Sequence, residues 1–146
     1  MQTGASAAMN KTIQPQVIKG KANPFAEFDD LCNQLENLFN QIEAGRKFPE
    51  GGLEGRSYDL AAAIQGLVHY NPDALLGAVH LSDSFSYQVH HPMQIAVLAE
   101  LILARLNADQ ATRLSTLAAA LTCNLAMNPY QSRLDLQTTP LTEQQK

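Results

Sequence analysis

Two short stretches hold the side chains best suited to chemistry. One is Tyr87-Gln-Val-His-His91; the other is Cys123-Asn124, which follows the apolar run Leu117-Ala-Ala-Ala-Leu121. Imidazole and thiolate both bind zinc, which makes His91 and Cys123 candidate metal ligands. A stable zinc site takes three or four protein ligands, and only these two are in view. His90 lies one helical step from His91, about 100° round the axis, and is expected at the surface. As a nucleophile, Cys123 would need a base or a helix N-terminus to depress its pKa. It falls near the end of an apolar helical run, where the dipole opposes a thiolate, so a buried, inert thiol is expected. Asn124 reads as a polar helix-end residue. His69 and His80 both fall near helix ends, where a partly exposed imidazole meets the last carbonyls. The carboxylates of Asp73, Asp83 and Glu100 are scattered and make no acid/base pair.

Composition narrows the setting. A chain of 146 residues suits one domain with a sizeable core. With 10 Lys+Arg against 14 Asp+Glu the net charge is −4, which provides no basic footprint for duplex nucleic acid and no polybasic membrane patch. Cys32 and Cys123 form no CxxC pair, so neither a disulfide framework nor a zinc ribbon is indicated, and a reducing cytoplasm is the simplest compartment. Residues 1–10 lack the form of a signal peptide. The longest apolar stretches are interrupted by Gln65, Glu100 and Arg105, too early for a membrane span.

The elements that must position these residues are helical. Residues 1–22 have only Ile13, Val17 and Ile18 as larger apolar anchors and read as a flexible tail. Residues 23–55 read as an amphipathic helix and a Gly-rich loop. Asn23 caps the helix, Pro24 suits its first position, and Phe25, Phe28, Leu31, Cys32, Leu35, Leu38, Phe39 and Ile42 recur at steps of three and four. Gly45, Pro49, Gly51, Gly52 and Gly55 then predict a loop. Further helices are expected over 57–70, 72–81, 87–106 with Pro92 in the first turn, and from Asp109 onward with Leu114, Leu117, Ala118 and Leu121 inward. Asn128-Pro129 should end the last of these. Thr139-Pro140, with Glu143 following, announces another helix, yet the chain stops at Lys146. A helix so short is marginal by itself, so a fragment of a longer protein is expected. No strand pattern occurs, and the chain reads as all-α, a bundle of five or six helices.

On these elements, residues 56–146 resemble the N-terminal half of an HD-GYP domain, the branch of the HD phosphohydrolase superfamily that hydrolyses cyclic di-GMP. Asn71-Pro-Asp-Ala-Leu-Leu76 looks like the helix pair before the family's core. Tyr87-Gln-Val-His-His91, leading into Ile95-Ala-Val-Leu-Ala99, is similar to its Tyr-Thr-x-x-His-Ser segment and puts His91 at the first ligand position. Leu117 to Met127 is similar to the family's Leu-His-Asp-Ile-Gly-Lys helix end, and Pro140-Leu-Thr-Glu143 to the segment after it. The departures fall on the chemistry. Cys123-Asn124 replaces the namesake His-Asp pair, and Ala126 and Met127 replace Gly and Lys. The family's two-metal site needs that imidazole and a bridging carboxylate.

The resemblance therefore implies a bacterial, cytoplasmic signalling module with a degenerate site, no catalytic residues, His91 as a vestigial ligand and no cofactor. It would act by protein contact or by binding a cyclic dinucleotide. One alternative is a metal-dependent phosphodiesterase using Fe, Mn or Zn, with further ligands supplied beyond residue 146. A third reading is a helical interaction or dimerisation module. The Phe/Leu stripe of the first helix can serve either a dimer or the chain's own core. Its width favours the core.

Overall fold

The computed structural model describes residues 23–48 and 51–145; the expected tail over 1–22 lies outside them. Six α-helices and one 3₁₀ turn follow in order: α1 Pro24–Glu43, α2 Gly52–Tyr70, α3 Pro72–Leu81, α4 Tyr87–Arg105, α5 Gln110–Thr122, the 3₁₀ turn Leu125–Met127, and α6 Asn128–Asp135. The described residues contain no strand, as an all-α chain requires.

The helix ends are set by short-range chemistry. Asn23 Oδ1 accepts from the Phe25 N–H at 3.1 Å and Asn71 Oδ1 from the Ala74 N–H at 3.0 Å, each ahead of a proline that fits the first turn. Asp109 caps α5 through both oxygens, accepting the Thr112 N–H at 2.9 Å and the Thr112 hydroxyl at 2.6 Å. The Thr112 hydroxyl, then its N–H, hold the Asp109 carboxyl below the usual carboxylate range.

Two helices end in the same left-handed wrap. After α1, Gly45 (φ 63°) donates to the Ile42 carbonyl and Arg46 to that of Gln41. After α4, Asn107 (φ 54°) donates to Ala104 and Ala108 to Leu103. This is the 6→1, 5→2 pattern that satisfies the last carbonyls of a helix.

The Phe/Leu stripe of α1 is spent inside the molecule. Phe28, Leu31, Cys32, Leu35, Leu38 and Phe39 are buried in one core with Leu60, Ile64 and Leu67 of α2, Leu75 and Val79 of α3, Val89, Met93 and Val97 of α4, and Leu117 and Leu121 of α5. Each such side chain contributes about 1.5–3 kcal/mol. Helix α5 packs on α4 and α2, while α1 packs on α3 and α2.

Four local expectations are corrected. The Gly-rich loop is shorter, because α2 begins at Gly52 and takes in Gly55; Gly51 (φ 93°) makes the turn before it. Pro92 stands inside α4, beyond its first turn, and is buried; it supplies no N–H toward the Gln88 carbonyl. Asn128-Pro129 opens α6, with the proline in its first turn, since α5 has already stopped at Thr122. Thr139-Pro140 starts no helix. The segment bends and closes a single turn, in which the Gln145 N–H donates to the Thr142 carbonyl and the Gln145 side chain accepts from the Thr142 N–H.

Candidate functional site

The start of α4 and the end of α5 are brought to one end of the bundle. Glu100, late in α4, bonds Arg113, early in α5; at the other end the Gln88 side-chain amide donates to the Asn128 carbonyl at 3.4 Å. The two helices therefore run antiparallel, and the stretch around His91 shares an end with the chain that follows Cys123-Asn124.

The site residues differ in their surroundings. The His91 ring is half-buried and stacks on the Tyr87 ring, with centroids 4.8 Å apart and planes at 13°. That contact follows from helical phase, since residues four apart are neighbours on one face. His90, expected at the surface, is half-buried, with Nε2 3.0 Å from the Val79 carbonyl of α3. A carbonyl only accepts, so Nε2 carries the proton and is unavailable to a cation. The same carbonyl accepts from the Gln94 amide at 3.5 Å.

Cys123, expected to be buried, is exposed. It is the C-cap of α5, and its Sγ–H donates to the Ala120 carbonyl at 3.2 Å. The apolar face of α5 ends with Leu121, and the chain turns there into the 3₁₀ segment that carries half-buried Asn124 at its head. His69 and His80 lie exposed in the last turns of α2 and α3. Asp73, in the first turn of α3, and Asp83 are exposed.

Among the described residues no three of His, Cys, Asp or Glu come together as a cation site. The donors at the α4/α5 end do not suit a two-cation phosphodiester site either. Asn124 is neutral and offers no bridging carboxylate, and Cys123 offers a thiol rather than an imidazole.

Among the described residues, the one cluster of charge in the core lies elsewhere. Glu100 is fully buried and paired with Arg113, whose Nη2 donates to Oε1 and whose Nε donates to Oε2 at 3.2 Å; the Gln65 amide of α2 donates to Oε2 at 3.4 Å. The hydrogen bond to Glu100 raises the already high pKa of Arg113. This grouping was readable in part: Glu100 shares the inward phase of Val89, Met93, Ala96 and Val97, and a buried charge requires a partner. Which of the chain's basic residues would supply it was not readable from spacing.

A separate open groove of about 520 Å³ lies between α1 and α2, lined by Gln34, Asn37, Gln41, Arg56 and Asp59 over Leu38 and Leu60. No candidate site residue lines it. No known protein family, curated protein or solved structure matches the chain. Among the described residues no helix is long and apolar enough to cross a membrane.

Proposed function

We propose that this chain is a non-hydrolysing signalling module of the HD-GYP type, in which the end of α5 has lost the donors that phosphodiester cleavage needs. The observation that carries the reading is the Cys123-Asn124 pair. It stands at the C-terminus of α5, at the end of the bundle where α4 presents His91, the relative position that the sequence resemblance gives to a His-Asp pair and its partner imidazole. With an exposed thiol and a neutral amide there, the module works by contact with a protein or by holding a cyclic dinucleotide intact.

The test measures bound metal and turnover together. The purified protein is loaded in turn with Fe, Mn and Zn, its metal content is measured by mass spectrometry, and it is incubated with cyclic di-GMP. Substoichiometric metal and no linear dinucleotide are expected. Stoichiometric metal, or product at a rate that scales with protein and disappears in His91→Ala, would overturn the reading. A gain of metal by the double variant Cys123→His/Asn124→Asp would support descent from a two-cation site.

A further inference from the structure

The outer face of α4 bears an apolar stripe that lies outside the core except at Ile95, which also packs against it. Its inward face is Val89, Met93, Ala96, Val97 and Glu100. On the outward side, Tyr87, Leu98, Ile102 and Leu106 are 52%, 42%, 59% and 70% exposed, and half-buried His91 and Ile95 complete the row. We propose that this face is the interface of a homodimer, in which α4 packs antiparallel against α4 of a second copy about a two-fold axis near Ala96-Val97.

Two features point to a second copy as the occupant. The first is spacing. The stripe steps by four, four, three, four and four residues, the same from either end, so an antiparallel copy sets Tyr87 opposite Leu106, His91 opposite Ile102 and Ile95 opposite Leu98. An isologous interface has to be self-complementary in this way.

The second feature is charge. The sole carboxylate on α4 is Glu100, which is fully buried in its bond to Arg113. The antiparallel register carries each Arg105 to the far end of the partner helix, beside the Tyr87–His91 ring stack. There a guanidinium gains a π face. The two Arg105 groups then stand about 25 Å apart along the axis, beyond a Debye length of about 8 Å. Antiparallel helix dipoles also oppose one another favourably.

The exposed area sets the strength of the contact. The four exposed side chains offer on the order of 400 Å² per copy, about half of the roughly 800 Å² per partner of a standard interface. That predicts weak, reversible association, which a single polar substitution in the stripe should weaken further.

Sedimentation velocity across a concentration series tests the assembly. The mass should rise from the 15.9 kDa monomer to twice that value. Ile102→Glu, at an exposed position, should raise the dissociation constant at least tenfold with unchanged helical circular dichroism and melting temperature. Cross-linking tests the register, in a Cys123→Ser background with a short bis-maleimide. Leu98→Cys should link to itself, being about 4.5 Å along the axis from its copy, and Leu106→Cys, about 28 Å from its copy, should not. A monomer at every concentration, an Ile102→Glu variant whose dissociation constant rises less than tenfold, or efficient linking through Leu106→Cys would each overturn the proposal.

Discussion

Removing Arg113 while leaving Glu100 in place is the most exacting test of the packing described above. Glu100 is fully buried, and its described partners are the Arg113 guanidinium and the Gln65 amide. Arg113→Met keeps a side chain of similar length but removes both guanidinium bonds. One oxygen then keeps only the 3.4 Å contact from Gln65, a long and weak hydrogen bond.

Stripping a buried ion pair of one member costs about 3–5 kcal/mol. The Arg113 side chain is 25% exposed, so water can reach the vacated space, and the low end, about 3 kcal/mol, is expected. For a chain of this length that corresponds to a fall of about 6–12 °C in Tm. Glu100→Leu should cost less, because the guanidinium it leaves behind can turn toward solvent. The pair Glu100→Leu/Arg113→Met should lie within about 1.5 kcal/mol of the parent, since replacing a buried pair with apolar residues is often close to neutral. Urea denaturation of all four proteins closes the cycle and provides the coupling energy. If Arg113→Met costs under about 1 kcal/mol, or if Glu100→Leu is the worse of the two single variants, the carboxylate is not held in the way argued here.

Three further outcomes follow from local geometry. At Asn107, φ is 54°, so Asn107→Gly should raise stability by a few tenths of a kcal/mol, whereas Asn107→Val should lower it by about 1–2 kcal/mol, both read by thermal melts. Burial, with Asp29 and Glu36 adding to it, pushes the Cys32 thiol from 9.0 up to about 12. Between those values the folded chain holds a proton that the unfolded chain has released, so this group's contribution to stability is complete below pH 9 and is lost as pH rises toward about 12. A Cys32→Ala variant should lose that part of the alkaline slope in denaturation midpoints; an unchanged slope would refute the assignment. In the native protein at neutral pH, a thiol reagent should label Cys123 and leave Cys32 until the chain unfolds.

The sequence by itself determined the helices whose signals are local. Asn23-Pro24, Asn71-Pro72 and Asp109 supply cap atoms to N–H groups two or three residues away, so the starts of α1, α3 and α5 were legible. The spacing of Phe28, Leu31, Leu35 and Leu38 likewise showed which face of α1 would be inward. Where local signals competed, reading along the chain failed. Gly52 and Gly55 look like loop residues, but Leu60, Ile64 and Leu67 anchor α2 firmly enough to carry the helix back over them. Asn128-Pro129 can stop one helix or start the next, and Thr139-Pro140 announced a helix that the chain does not form.

Only the tertiary structure decided how the candidate site residues are used. His90 and His91 are adjacent in sequence, yet one ring is tied to a carbonyl of α3 and the other lies against Tyr87 of its own helix. Cys123 comes out exposed because the apolar face of α5 ends at Leu121 and the chain turns away there. The partnership of Glu100, Arg113 and Gln65 depends on three helices meeting, and no spacing along one helix encodes it. Local chemistry fixed where most helices begin; the angles and phases at which they pack fixed which polar groups meet, because those choices minimise the burial of charge across the whole core at once.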